Sequence, residues 1–169
     1  PDLEEEDFIR KNIIQTYSTI DKVPPNVITN MKKLNPGYEY HFYGNKECED
    51  FLMKYYGQIF VDKFNEFKQG AHKADLFRVC WLYIHGGVYI DIDTQLLKPL
   101  DFILEKIDGN LAIPQNTFRH NLWDDAISKM FGIKHCTLIN SFIISSRGNK
   151  LIKKCIEAIM NITQKDIDK

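Results

Sequence analysis

The stretch from Gly70 to Asp93, GAHKADLFRVCWLYIHGGVYIDID, constrains the fold more than any other part of this chain. It reads as a helix, a Gly-Gly stop and an apolar strand ending in two carboxylates, Asp91 and Asp93. Leu76, Val79, Cys80 and Tyr83 recur at helical spacing and define one apolar face. Ala71, Ala74, Asp75 and Arg78 fall on another. Asp75 and Arg78 are three apart, so their side chains are neighbours. Alone, they read as a surface ion pair worth about a few tenths of a kcal/mol. Gly86 stands where a left-handed helix cap is expected. Gly87 removes a second side chain where a ligand backbone or phosphate can approach.

The strand is expected over Val88–Asp93. Alternation puts Val88, Ile90 and Ile92 on one face and Tyr89, Asp91 and Asp93 on the other. Two carboxylates on one face of a strand end repel each other and lose hydration, a cost that a divalent cation offsets. Mg²⁺ and Mn²⁺ suit carboxylate oxygen and bind through one or two carboxylates plus substrate phosphates. A bare D-x-D is also what a solvated strand end running into Thr94-Gln95 looks like. Joined to the helix pair and the glycine turn, it reads as a site that holds a cation against a diphosphate.

The rest of the chain alternates strand and helix, which argues α/β with a mainly parallel central sheet flanked by helices. Strands are expected at residues 11–17, 38–43, 111–114 and 137–145. Helices are expected from Pro25 to about Lys33, at 45–56 with Asn45 as cap, at 58–66, from Pro99 to Ile107, and from Gly148 onward. Residues 115–135 mix aromatic and polar groups. They read either as a loop facing an acceptor or as a surface connection that tucks Trp123 into the core, with Asp124 or Asp125 capping a helix.

At 169 residues the chain is long enough for one domain with a real core. A net charge of −1 argues against a general nucleic-acid surface. No apolar run is long enough to span a bilayer, and no signal peptide is visible. The chain starts at Pro1, so an upstream anchor removed by processing stays open. Cys48, Cys80, Cys136 and Cys155 lack C-x-x-C spacing, so free thiols are expected, with Cys80 and Cys155 in helix cores. His41, His72, His85, His120 and His135 are scattered and do not pair at ligand spacing. The expected compartment is the cytoplasm, with the Golgi lumen as the alternative if an anchor has been lost.

The residues Ala71, Lys73-Ala74-Asp75, Arg78, Leu82-Tyr83, Gly86-Gly87-Val88-Tyr89-Ile90-Asp91 and Asp93 resemble the DXD-containing sugar transferases related to the yeast initiating mannosyltransferase. They are also similar to the glucosyltransferase domains of the large clostridial toxins. Ile9–Tyr17 (IRKNIIQTY) resembles the opening strand of that family, and Asn140–Lys150 (NSFIISSRGNK) resembles a later strand-to-helix segment. Tyr17 stands where the family often has Trp, Ile14 where it often has His, Arg10 where it often has Pro, and Asn149 where it has the His of G-H-P.

The resemblance implies a GT-A, Rossmann-like fold with a nucleotide-sugar donor and Mn²⁺ or Mg²⁺. It implies that Asp93 binds the metal directly and that Asp91 reaches the ribose, and the metal through water. Asp75 and Arg78 would hydrogen-bond the donor sugar. Gln15, Thr16 and Tyr17 would line the base pocket, with Tyr17 stacking on the base. Gly86 and Gly87 would leave room for the donor, and Asn140 would lie near the sugar or the acceptor. UDP-hexose is the first donor implied and GDP-mannose the next; the acceptor, whether glycan, protein or small molecule, stays open. Relatives of this kind retain anomeric configuration, and front-face attack assisted by the departing phosphate fits a chain with no evident carboxylate nucleophile. Residues 1–169 read as a single such domain without the C-terminal portion that commonly completes the metal shell. Two other readings stand beside this one. A haloacid-type phosphohydrolase wants Thr or Val where Gln95 stands; a nucleotide-sugar-binding domain without turnover needs no acceptor site at all.

Overall fold

The computed structural model describes residues 1–116 and 137–163. In chain order the elements are β1 (Asn12–Thr16), a 3-10 turn (Ile20–Lys22), α1 (Pro25–Leu34), β2 (Glu39–Tyr43), α2 (Asn45–Tyr56), α3 (Gln58–Glu66) and α4 (Gly70–His85). Next come β3 (Gly87–Ile90), α5 (Leu100–Leu104), β4 (Leu111–Ala112), β5 (Gln115–Asn116), β6 (Thr137–Leu138), β7 (Phe142–Ser145) and α6 (Lys150–Met160). The Trp123 region, Cys136, His120 and His135 lie outside the described residues.

Five strands form one sheet in the order β2-β1-β3-β7-β4. β1 pairs in parallel with β2 and with β3. β7 runs antiparallel to both β3 and β4, so four of the five strands share one direction. A mainly parallel sheet flanked by helices is therefore what the alternating pattern produces.

Strand alternation splits the core in two. Ile13, Val88, Ile90 and Ile144 point to the face covered by Met31 of α1 and Leu100 of α5. Ile14, Tyr89 and Ile143 point to the other, larger face, against α2, α4 and α6. Pro25 starts α1, because its fixed φ suits the first helical turn and its missing N–H costs nothing there. Asn35 ends it: its side-chain amide donates to the Met31 carbonyl (3.0 Å), while its Oδ1 accepts from the Leu100 backbone at 2.8 Å. One asparagine thus joins the end of α1 to the start of α5.

Four expectations change. α4 is not amphipathic over its second half: every residue from Leu76 to Ile84 is buried, because the helix lies between the sheet and its helical neighbours. Asn45 is not a side-chain cap; Gly44 precedes α2 and no side chain bonds the helix start. The 99–107 helix keeps only Leu100–Leu104, after which Lys106 and Ile107 close tighter turns onto Ile103 and Leu104. The expected 137–145 strand is broken in two. Ile139 donates to the Pro114 carbonyl, and the Asn140 carbonyl turns away to accept from Arg78.

Candidate active site

β3 ends at Ile90, three residues short of the sequence expectation. Asp91–Asp93 is a turn closed by the Thr94 N–H on the Asp91 carbonyl at 3.0 Å. Tyr89 and Asp91 keep the strand's alternation and face α4, whereas Asp93 leaves it and is exposed. The two carboxylates therefore part company, one turned to the protein and one to solvent.

Asp91 is tied to the interior. Its Oδ1 accepts from the Tyr89 hydroxyl and lies 3.5 Å from Arg78 Nη1. Arg78 is 3% exposed, so the pair with Asp75 is not a surface ornament. Its Nη2 lies 3.1 Å from Asp75 Oδ1, its Nε donates to the Ala74 carbonyl at 3.1 Å, and its Nη1 donates to the Asn140 carbonyl. The guanidinium also stacks 4.4 Å from the Tyr89 ring centre. Asn140 Nδ2 completes the cluster by donating to Asp75 Oδ1 at 2.9 Å. Burial works against the Arg78 charge, but Tyr89, Asp75 and Asp91 outweigh it and hold the guanidinium above its ordinary pKa. Burial pushes the Tyr89 hydroxyl well above its ordinary value, so it stays a proton donor to Asp91. Breaking a buried ion cluster by removing one partner costs about 3–5 kcal/mol.

Beside this cluster is a cavity of about 400 Å³ at the C-terminal ends of β1 and β3. Thr16 and Tyr17 line it from β1, Asn45 from α2, Lys73 and Arg78 from α4, and Asp91 and Asp93 from the turn. The carboxyl ends of parallel strands are where open α/β sheets bind ligands. Tyr17 is 44% exposed, leaving its ring face available for stacking. Lys73 belongs to the A-x-K-A-D-x-x-R stretch, although the sequence assigns it no role there, whereas Asn45 reads only as a helix cap. Asn45, at the start of α2, belongs to no motif.

Five predicted residues do not line the cavity. Asp75 and Asn140 stand behind Arg78 in the bonded cluster. Gln15 is fully buried and does not line the cavity. Its Nε2 donates to the Asp91 carbonyl (3.2 Å) and its Oε1 accepts from the Tyr40 hydroxyl (2.9 Å), so it braces the turn from behind. Gly86 and Gly87 lie at the opposite end of β3, about 13 Å along the strand from Asp91. A Cβ on Gly86 would meet the Arg147 backbone N at 2.7 Å, and one on Gly87 would meet the Asn12 carbonyl at 2.6 Å. Their φ values of 65° and 121° are glycine territory. The glycines close the turn between α4 and β3, away from the Tyr17 cavity. Asn149, where the family has His, caps α6 by accepting from the Leu151 and Ile152 N–H groups.

Among the described residues no three His, Cys, Asp or Glu side chains are grouped at metal-binding spacing. The turn offers Asp93, which bonds no other described residue, and Asp91, 31% exposed. Such a set fits Mg²⁺ or Mn²⁺ whose remaining ligands come from a diphosphate and water. Cys48, Cys80 and Cys155 are buried, free thiols, the latter two in helices as expected. No described helix is long and apolar enough to cross a membrane.

Comparison with known proteins gives the family and the fold. The initiation-specific alpha-1,6-mannosyltransferase of Candida albicans is 30% identical over 76% of this chain and 35% of its own length. The mannosyl phosphorylinositol ceramide synthase SUR1 of Saccharomyces cerevisiae is 34% identical over 57% of this chain and 26% of its own. The chain thus spans about a third or less of these curated relatives. The solved PaToxG glycosyltransferase has a TM-score of 0.59 over 90% of this chain and 60% of its own, at 15% identity, which speaks for the fold alone. Residues 24–118 match the family described as the glycosyltransferase sugar-binding region containing a DXD motif, and the chain belongs to that family.

Proposed function

We propose that this chain binds a nucleotide-diphosphate sugar with a divalent cation and transfers its hexose to a hydroxyl acceptor with retention of configuration. The observation that carries the reading is the division of labour at the Asp91–Asp93 turn. One carboxylate is locked to Arg78, and the other is exposed at the mouth of the same cavity as Tyr17.

Tyr17 presents an aromatic face for the base, and the cavity behind it runs to the carboxylates. Asp93, with Asp91, would hold Mn²⁺ or Mg²⁺, which when bound neutralises charge on the departing diphosphate. Arg78 presents positive charge on the cavity wall and ties Asp91 there to Asp75 and the Asn140 carbonyl behind it. A wall so fully bonded from behind needs little reorganisation as charge develops. Asp75 and Asp91 are both committed to Arg78, which makes either a poor covalent nucleophile and favours front-face transfer. The mannosyl activities in the relatives' names move a mannosyl donor ahead of the UDP-hexose order set by the toxin resemblance.

The test is donor turnover. GDP-mannose, UDP-glucose, UDP-galactose and UDP-N-acetylglucosamine are incubated with the chain in Mn²⁺ or chelator, and released nucleotide diphosphate is measured. Metal-dependent release from one donor is expected. Binding of a donor without release, even with a broad panel of hydroxyl acceptors, would reduce the chain to a nucleotide-sugar-binding domain.

A further inference from the structure

A second cavity, of about 550 Å³, lies between α1 and residues 92–96. Ile92 and Asp93 line both cavities, so the two adjoin at the Asp91–Asp93 turn. The two differ in chemistry. The Tyr17 cavity carries an aromatic ring and a guanidinium. The α1 cavity has neither, and its volume falls within the range of small-molecule sites.

Its polar groups are arranged in a row. Asn26, Asn30 and Lys33 lie at i, i+4 and i+7 of α1, one helix stripe, with Gln95 across from them. None of these four side chains bonds another described residue. Carboxamides both donate and accept, as sugar hydroxyls do. Val27, Met31 and Leu96 add an apolar floor, suited to the C–H face of a ring. Apart from Asp93 no carboxylate lines the space, and Lys33 gives it one cation, so a cationic ligand is disfavoured.

We propose that this α1 cavity is the acceptor subsite, taking a ring that bears adjacent hydroxyls, neutral or singly phosphorylated. The proposal rests on the donor reading of the Tyr17 cavity, because an acceptor must lie beside the donor sugar. Asp93, shared by both cavities, brings the two substrates to one residue. The ring can come from a glycan terminus or from a cyclitol head group; the chemistry is shared.

The experiment monitors the side-chain amide ¹H–¹⁵N signals of Asn26, Asn30 and Gln95 in protein saturated with donor and Mn²⁺. Methyl α-D-mannopyranoside, myo-inositol and myo-inositol 1-phosphate are titrated in turn, and the donor isotherm is recorded on the same sample. At least one ring is expected to shift these amides, the mannoside pointing to a glycan and an inositol to a head group. Lys33→Ala should weaken only the phosphorylated ring. Asn30→Trp, which fills the cavity from an exposed helix position, should weaken ring binding at least about tenfold, a difference of about 1.4 kcal/mol, with the donor isotherm intact. Normal donor binding with no amide shift from any ring would overturn the proposal, as would shifts that survive Asn30→Trp. Absence of donor binding in the wild type would overturn the parent reading, and the acceptor assignment with it.

Discussion

The two ends of β3 solve opposite problems. At the Gly86–Gly87 end the chain is shut: backbone meets backbone from Asn12 and Arg147, and a single methyl group would collide. At the Asp91–Asp93 end the strand stops early, and the chain turns outward beside two cavities. Both ends carry motif residues, and in the sequence both look like ligand contacts. The difference is what surrounds them. Glycines packed on main chain serve closure, whereas carboxylates with a solvent face serve binding. Removing a motif residue should therefore cost stability at the closed end and binding at the open one, with the buried Arg78 cluster contributing to both.

The largest expected effect comes from that cluster. Arg78→Leu leaves the half-buried Asp75 and Asp91 without their buried cation, and should lower stability by up to about 3–5 kcal/mol in urea unfolding. A loss below about 1 kcal/mol would mean the cluster is a solvated ornament, as exposed pairs are. Next is the closed end. Gly87→Ala forces a side chain into a left-handed conformation against Asn12 and should cost about 1–3 kcal/mol or more. Donor affinity per folded molecule should hold. Unchanged melting with lost donor affinity would restore the glycine as a ligand contact. Gln15→Leu strips partners from the Asp91 carbonyl and the Tyr40 hydroxyl, and should cost about 1–3 kcal/mol. It should also loosen metal-dependent donor binding, which Tyr40→Phe should do more weakly.

A smaller effect concerns acid. His85 ends α4 at the closed end, packed on Trp81 and Phe51, and burial lowers its pKa from 6.5 to about 4. The unfolded chain then takes the proton first, so this residue's contribution is intact above pH 6.5 and lost as pH falls toward 4. His85→Phe should flatten the fall of the urea midpoint between pH 7 and 4. An identical pH slope in the two proteins would remove His85 from the account. The smallest effect on stability belongs to Asp93. Being exposed and without a described partner, Asp93→Asn should change unfolding by no more than about 0.5 kcal/mol.

Much of this was legible in the sequence. The alternation of elements produced the layered sheet, Pro25 and Gly86 marked helix ends, and the A-x-K-A-D-x-x-R and G-G-V-Y-I-D-x-D residues pointed to one site. What was not legible depended on neighbours far along the chain. Gln15 faces the Asp91 carbonyl only because β1 and β3 pair in parallel, a register that local pattern does not encode. Arg78 is buried because α4 is covered on both sides, although its spacing from Asp75 suits a surface pair equally well. Alternation carried the β3 strand to Asp93, but the Thr94 N–H closes onto the Asp91 carbonyl and ends it sooner. The α1 cavity has no motif: Asn26, Asn30 and Lys33 look like any solvated helix face until residues 92–96 are seen opposite them.

The central claim is that the exposed carboxylate of the turn binds a donor through a cation. Calorimetric titration of GDP-mannose and UDP-glucose into wild type and Asp93→Asn, each in Mn²⁺ and in chelator, tests it most directly. The account predicts that one donor binds wild type only with Mn²⁺, and that Asp93→Asn melts like wild type yet loses that binding by a factor on the order of ten or more, at least about 1.4 kcal/mol. Equal, metal-dependent binding of the donor by Asp93→Asn would contradict it.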